Sequence, residues 1–272
     1  MPSGMPFIEL QSVDSTNNYA LARLHEARLP DRQGPVQHGQ AYFAHEQVAG
    51  KGQRGRVWEA EKDANIILSV VLNPYPLQLS QQFQFSAAVA MAVHDFFSNY
   101  AGEDTKIKWP NDLYWQDRKA GGVLIESVIS SYSPVKKGGL SENERQKTAA
   151  GQWQWAVVGI GININQTSFP EELKNPVSLK QITGKNYDVV ALAKELCERL
   201  YSRFSELTQK GFDSIYHNYN SQLYKQGEPV RLKKDSRVFE AIIKNVSPAG
   251  QLIVQHSIEE AFGFGDIEWI IK

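Results

Sequence analysis

A single cysteine in 272 residues has no partner for an intrachain disulfide, which fits a reducing compartment. An excess of either charge is also missing. Twenty-nine basic residues meet 30 acidic ones, for a net charge of −1 and a pI near 6.6. So balanced a chain has no overall field to draw it onto nucleic acid or an anionic membrane, and any anion site must be local. Long apolar runs are absent too. The most apolar stretches, 66–72 and 155–162, are far too short to span a bilayer. The opening MPSGMPFIEL has no basic segment followed by an apolar one, so no secretory signal is read. The histidines are scattered without a His-x-x-x-His pair, which gives zinc no ligand set, and no Gly-x-Ser-x-Gly elbow occurs. What remains predicts a cytoplasmic protein of one or two domains.

Short strand-like runs and helical patterns alternate irregularly, which points to α/β or α+β. Strands are predicted at 7–10, 40–44, 65–72, 106–109, 123–129 and 153–164 from short apolar or β-branched runs bounded by turn residues. Helices are predicted from Ser15, over 80–100, from Asp188 through Leu207, and over 212–223. Cys197 lies beside the apolar face of the third helix and reads as a core thiol. Residues 130–152, rich in Ser, Lys, Gly and Glu, read as the extended tip of a hairpin. After Gly227 four or five short strands follow closely, the pattern of a small β barrel, and a boundary is placed near Tyr224, giving units 1–224 and 225–272.

Five segments could carry chemistry. In Ala49-Gly50-Lys51-Gly52-Gln53-Arg54-Gly55-Arg56-Val57-Trp58 glycines let backbone N–H groups approach a ligand, and cations sit where phosphate or carboxylate would lie. It is not a Walker A loop, and a solvated charged loop is an equal reading. Lys106 to Tyr114 contains Lys-Trp-Pro-Asn-Asp, which alone reads as an ordinary turn. Lys119 stands at a strand mouth before Gly121 and Gly122, where a lysine can lose water and face an anion; an exposed hairpin lysine is the commoner case. Gly159 and Gly161 alternate with isoleucines, so one strand face lacks side chains and suits a flat ligand, unless a β-bulge lies there. Asp14-Ser15-Thr16-Asn17 opens a helix; Ser15 suffices as a cap and leaves Thr16 and Asn17 unexplained.

Taken in order, Asp-Ser-Thr-Asn, Gln47, Gly-Lys-Gly-Gln-Arg-Gly-Arg-x-Trp, Lys-Trp-Pro-Asn-Asp-Leu-Tyr, Arg-Lys-x-Gly-Gly-x-Leu-x-Glu and Gly-Ile-Gly-Ile-Asn resemble a biotin protein ligase of the biotin–[acetyl-CoA-carboxylase] ligase type. The motifs run from Asp14 to Asn165, and with the C-terminal strands the resemblance covers nearly the whole chain. It implies an α+β fold, with a mixed β-sheet catalytic domain packed with helices and a small C-terminal SH3-like β barrel. It also implies two steps. Biotin's carboxylate attacks the α-phosphorus of ATP to give biotinyl-5′-adenylate and pyrophosphate, and a carrier-protein lysine then takes the biotinyl group and releases AMP. Both first reactants are anionic, so cations must join them, with Mg2+ on the triphosphate.

By the same resemblance Ser15, Thr16, Asn17 and Gln47 bind the ureido end of biotin, and Gly50, Gly122 and Gly159 line its site. Lys51, Gly52, Gln53 and Arg54 close over the carboxylate and phosphates. Lys119 contacts both reacting groups, with Asp112 and Arg54 as further catalytic candidates. Arg56, Trp58, Asn111, Gly161 and Asn163 fall to the nucleotide, with Trp58 near the adenine. Asp112 is the carboxylate placed to receive the carrier lysine; holding magnesium or fixing the turn are its other readings, and the metal ligands stay unassigned. The loop is expected to be loose without ligand, its cations having no evident protein partner. The implied partner is the biotin carboxyl carrier domain of acetyl-CoA carboxylase or a related carboxylase, and a homodimer is compatible with the resemblance. Some members have Arg at the positions of Lys51 and Gln53; Lys51 lacks the bidentate fork and Gln53 the charge, so adenylate retention is expected to be weaker. Some carry an N-terminal winged helix-turn-helix. With the Ser-Thr-Asn motif starting at residue 15 that domain is not expected here, nor is DNA binding.

Overall fold

The strand at 65–72, NIILSVVL, is buried at every residue, which requires cover on both faces of its sheet. In the computed structural model, which describes residues 5–27, 35–130 and 152–270, it is the third strand of a seven-stranded sheet. The strands are β1 (Phe7–Leu10), β2 (Gln40–Ala44), β3 (Asn65–Leu72), β4 (Thr105–Lys108), β5 (Asp112–Trp115), β6 (Arg118–Ser130) and β7 (Gln152–Asn163). Their order is β1-β2-β3-β7-β6-β5-β4, with β1 parallel to β2 and the other pairs antiparallel. The fold is thus α+β on a mixed sheet. Of the expected hairpin tip, 130–152, Ser130 and Gln152 end β6 and begin β7, and residues 131–151 lie outside the described residues.

Alternation along the strands sorts the two faces. Ile66, Leu68, Val70 and Leu72 of β3 join Val158, Ile160 and Ile162 of β7 in the main core. That face is covered by α2 (Gln82–Ala101) through Phe85, Val89 and Phe96, and by α4 (Val189–Lys210) through Leu192, Leu196, Leu200 and Phe204. Cys197 is buried there, and burial pushes its thiol up to about 12, the inert core thiol expected from the sequence. The opposite face carries α1 (Thr16–Glu26), whose Ala20 and Leu24 pack on Tyr42, Val71 and Val157. Farther along, this second face passes to Ser69, Gly159 and Gly161, and there the site is built.

Residues 106–122 differ from the sequence expectation. The turn at Pro110 is followed at once by β5, and β6 begins at Arg118, before the apolar run at 123. Ladder pairing to neighbours on both sides makes strand of a segment that looks like a turn locally. Two short helices complete this part, α3 (Leu179–Thr183) and α5 (Asp213–Ser221); α3 is too short for its period to show. The chain ends in a five-stranded antiparallel sheet of β8 (Pro229–Lys234), β9 (Arg237–Val246), β10 (Leu252–Gln255), β11 (Glu259–Phe262) and β12 (Glu268–Trp269), in the order β11-β10-β9-β8-β12. β11 has two adjacent glutamates and one buried phenylalanine, too weak an alternation to reveal it. Leu232, Ile243, Val254 and Phe262 of this sheet belong to the main core, so the two sheets share buried surface.

Candidate active site

Gln47, Thr16 and Asn17 come together because the segment before the glycine loop runs along the entry to α1. Val48 and Ala49 donate backbone hydrogen bonds to the carbonyls of Val13 and Asp14. Ser15 caps α1, its side chain accepting from the Asn18 amide, and is itself buried. The Gln47 Oε1 accepts from the Thr16 amide at 2.9 Å. Ser69 Oγ lies 2.7 Å from Thr16 Oγ1 and 2.6 Å from Asn17 Oδ1, and Asn17 Nδ2 donates to Glu126 Oε2 at 2.7 Å. Five side chains, from α1, β3, β6 and the loop at Gln47, thus form one polar cluster in an apolar sheet.

Gly159 and Gly161 are the floor beside it. A Cβ on Gly159 would lie 2.4 Å from Asn17 Oδ1, and one on Gly161 would lie 2.4 Å from the Trp58 indole. The ladder from β3 to β7 is in continuous register here, so the glycines mark close approach and not a bulge. The Trp58 Nε1 is buried without a hydrogen-bond partner.

The 50–58 segment folds back on itself. Trp58 donates to the Gly50 carbonyl at 2.9 Å and Gly52 to the Arg56 carbonyl at 2.7 Å. Arg54, at the tip, adopts left-handed backbone with φ 58°. The sequence expectation that the loop cations lack protein partners is corrected here. Lys51 Nζ donates to Asn18 Oδ1 at 2.5 Å, and Arg54 Nη2 to the Gly265 carbonyl at 2.7 Å. Gln53 is neutral and can therefore tuck inward, where a cation would need a counter-charge. Its Nε2 donates to Asn111 Oδ1 at 2.7 Å and to the Val123 carbonyl at 3.2 Å. These partners lie tens to hundreds of positions away, so no local signal reveals them.

Beneath the loop lie the side chains of β5 and β6. Register places Asp112 opposite Gly122, and a Cβ on Gly122 would meet Asp112 Oδ1 at 3.0 Å and Lys119 Nζ at 3.5 Å. Over this bare position Lys119 Nζ donates to Asp112 Oδ1 at 2.8 Å, with both side chains partly exposed. Lys119 is fixed at its backbone by Asn175 and Val177. Asn111 is buried and donates to the Val123 carbonyl at 2.9 Å. Asn163 shares the face of Gly159 and Gly161, but its amide donates to the Val177 carbonyl at 3.1 Å and so fixes the segment that braces Lys119. Arg56 is exposed at the rim.

Sequence reasoning passed over Ser69, Glu126 and Lys108. Each had a signal: the lone hydroxyl in NIILSVVL, the lone carboxylate in an apolar strand, and the lysine at the head of Lys-Trp-Pro-Asn-Asp. Lys108 lies between the rings of Tyr114 and Trp269, 5.3 and 5.2 Å from their centres, and burial holds its amine down to about 8. Among the described residues no group of three or more His, Cys, Asp or Glu could hold a metal ion, and no helix is long and apolar enough to cross a membrane.

This arrangement has relatives. Residues 10–136 match the biotin/lipoate A/B protein ligase family. The family match takes in the polar cluster, the 50–58 loop and the Lys119–Asp112 pair, but not Gly159 or Gly161. The chain is 35% identical to the bifunctional ligase/repressor BirA of Escherichia coli over 43% of its own length and 33% of that protein. It is 27% identical to a biotin–[acetyl-CoA-carboxylase] ligase of Paracoccus denitrificans over 90% of its length and 92% of that protein. The fold matches a biotin protein ligase from Aquifex aeolicus, solved with biotin and ATP, with a TM-score of 0.74, 26% identity, and coverage of 98% and 99% of the two chains. Against the bifunctional BirA relatives the chain spans between 33% and 66% of their length.

Proposed function

We propose that the chain is an ATP-dependent ligase that forms biotinyl-5′-adenylate and transfers biotin to a lysine of a biotin carboxyl carrier domain. The observation that carries this reading is the Lys119–Asp112 pair over Gly122, at the junction between a polar cluster suited to a cyclic urea and the Trp58 indole, which lies over Gly161 and suits a flat ring. A bicyclic urea has both N–H donors and a carbonyl acceptor, and Ser15, Thr16, Asn17, Gln47 and Ser69 supply complementary groups in an otherwise apolar face. That places the ligand's carboxylate tail toward Lys119. The nucleotide base stacks on Trp58, which lies over Gly161, and Asn111, Arg56 and Asn163 border it. Magnesium enters with the triphosphate as part of the substrate.

In the first step Lys119 supplies the fixed positive charge. It neutralises the attacking carboxylate and the α-phosphate, and stabilises the charge that grows on the phosphoryl oxygens. Lys51, Gly52, Gln53 and Arg54 cover the anions and exclude water that would hydrolyse the mixed anhydride. In the second step the carrier lysine attacks the acyl carbon, AMP leaves, and Asp112 accepts a hydrogen bond from the incoming ammonium and helps remove its proton. The C-terminal unit, 225–272, we take as a separate small domain that borders the loop.

Transfer of labelled biotin to a carrier domain, with and without ATP, tests the reading. Label transfer only with ATP supports it, and pyrophosphate released with biotin but not lipoate fixes the substrate. A lack of pyrophosphate release with either acid overturns it.

A further inference from the structure

If Lys119 serves the reacting anions, it must give up the carboxylate it holds at rest. Asp112 has Lys119 as its one ion-pair partner among the described residues, and its side chain is 25% exposed. A partly buried carboxylate that loses its partner attracts the nearest free cation. The sheet places a second cation beside it. Lys108 stands directly opposite Asp112 in the β4–β5 ladder, and opposed residues of an antiparallel pair project from the same face. Among the described residues its ammonium makes no hydrogen bond and no ion pair; only the rings of Tyr114 and Trp269 hold it.

We propose that Lys108 is a positioning residue for adenylate formation, the cation that Asp112 takes up when Lys119 leaves it for the reacting carboxylate and phosphate. This rests on the functional reading above. The groups facing Lys108 are Asp112 and Tyr114 of β5, Lys119 of β6, Arg56 of the loop and Trp269 of β12. Of these, Asp112 favours its charge, and Lys119 and Arg56 oppose it. Departure of Lys119 frees the carboxylate and removes a repulsion on Lys108 in the same movement, so both changes draw Lys108 to Asp112. Aromatic faces hold an ammonium less firmly than a carboxylate does, which leaves Lys108 available for the exchange. A lysine placed only to pack the two sheets together would show no such dependence on Lys119 or Asp112.

The test times pyrophosphate release from biotin and MgATP by the full chain and its variants at pH 7. Lys108→Met is expected to slow this step about tenfold with KM for both substrates little changed, and Lys108→Arg to restore most of it. In an Asp112→Asn background, where Lys119 has no anion to leave, Lys108→Met should slow it no further. Equal slowing in both backgrounds, or no slowing in either, overturns the proposal. A wild-type chain that releases no pyrophosphate overturns the functional reading instead, and a melting experiment then decides the exchange. Lys108→Met should raise the melting temperature of the wild type but lower that of Lys119→Met, in which Asp112 depends on Lys108 alone. An unchanged sign in the two backgrounds overturns it.

Discussion

Arg54 Nη2 donates to the carbonyl of Gly265, 2.7 Å away and 211 positions later in the chain. The guanidinium also lies 5.8 Å from the centre of the Phe264 ring. The tip of the 50–58 loop is therefore tied to the turn between β11 and β12. Anion binding must compete with this tie or build upon it. Arg54→Ala is expected to hasten tryptic cleavage after Arg56 in the ligand-free chain. Biotin with MgATP should slow cleavage after Arg54 and Arg56 in the wild type. Cleavage rates indifferent to both changes would show that the tie does not hold the loop.

Lys119→Ala removes the charge that the proposed mechanism sets against both reacting groups. Adenylate formation, followed by pyrophosphate release, is expected to fall by about 10³-fold, in the range found for loss of a transition-state charge stabiliser. A rate within a few-fold of wild type would remove Lys119 from the chemistry.

Asp112→Asn distinguishes the two steps. Transfer from preformed adenylate to a carrier domain is expected to slow more than adenylate formation, because the amide does not accept the amine's proton. A first step that slows more, and recovers in excess magnesium, would assign Asp112 to the metal instead.

Gly159→Ala places a methyl group 2.4 Å from Asn17 Oδ1. Asn17 cannot retreat without breaking its bonds to Ser69 and Glu126, so the cluster distorts. Biotin KM should rise tenfold or more, with a stability loss of about 1–3 kcal/mol from overpacking. Calorimetry with biotin and a thermal melt read the two effects separately.

The Lys108 amine also makes stability depend on pH. Its folded value of about 8 lies below the unfolded value near 10.4, so the unfolded chain binds the extra proton between them. Stability from this group is lowest below pH 8 and rises until about pH 10.4. Lys108→Met should therefore be more stable than wild type at pH 7, by at most about 3 kcal/mol, and equal to it near pH 10.5. Urea denaturation at the two pH values checks the convergence.

Much of this site was legible from local signals. Asn65–Leu72 declared itself a doubly covered strand because all eight residues answer to burial, and Ser15 and Asp188 announced their helices by capping chemistry. Thr16 and Asn17 stood out because one cap residue is enough. Asp112–Trp115 was hidden, since Asn-Asp after proline reads as a turn and only the neighbouring strands make it β. Lys119 and Asp112 were both singled out, but their pairing was not, because it depends on a bend in the β5–β6 register near Leu113 and Tyr114. Lys108 hid its character for a similar reason: one of the two rings that enclose its amine belongs to Trp269, 161 residues downstream, and no window of sequence contains both.

The Trp109–Pro110 corner shows how far the smaller sheet can be treated as interchangeable. Trp109 Nε1 donates to the Gly250 carbonyl at 3.0 Å, and the Tyr219 hydroxyl donates to the Pro110 carbonyl at 2.7 Å. Asn111 and Asp112 hang directly from that corner. Grafting the terminal sheet of a distant relative onto residues 1–224 would thus disturb the Asp112 carboxylate unless the graft offered an acceptor where Gly250 stands. Exchange between lineages is then constrained at the Gly250 carbonyl as well as at the Gly265 carbonyl that holds Arg54 and the Trp269 ring over Lys108, and a successful chimera would be designed from those groups outward.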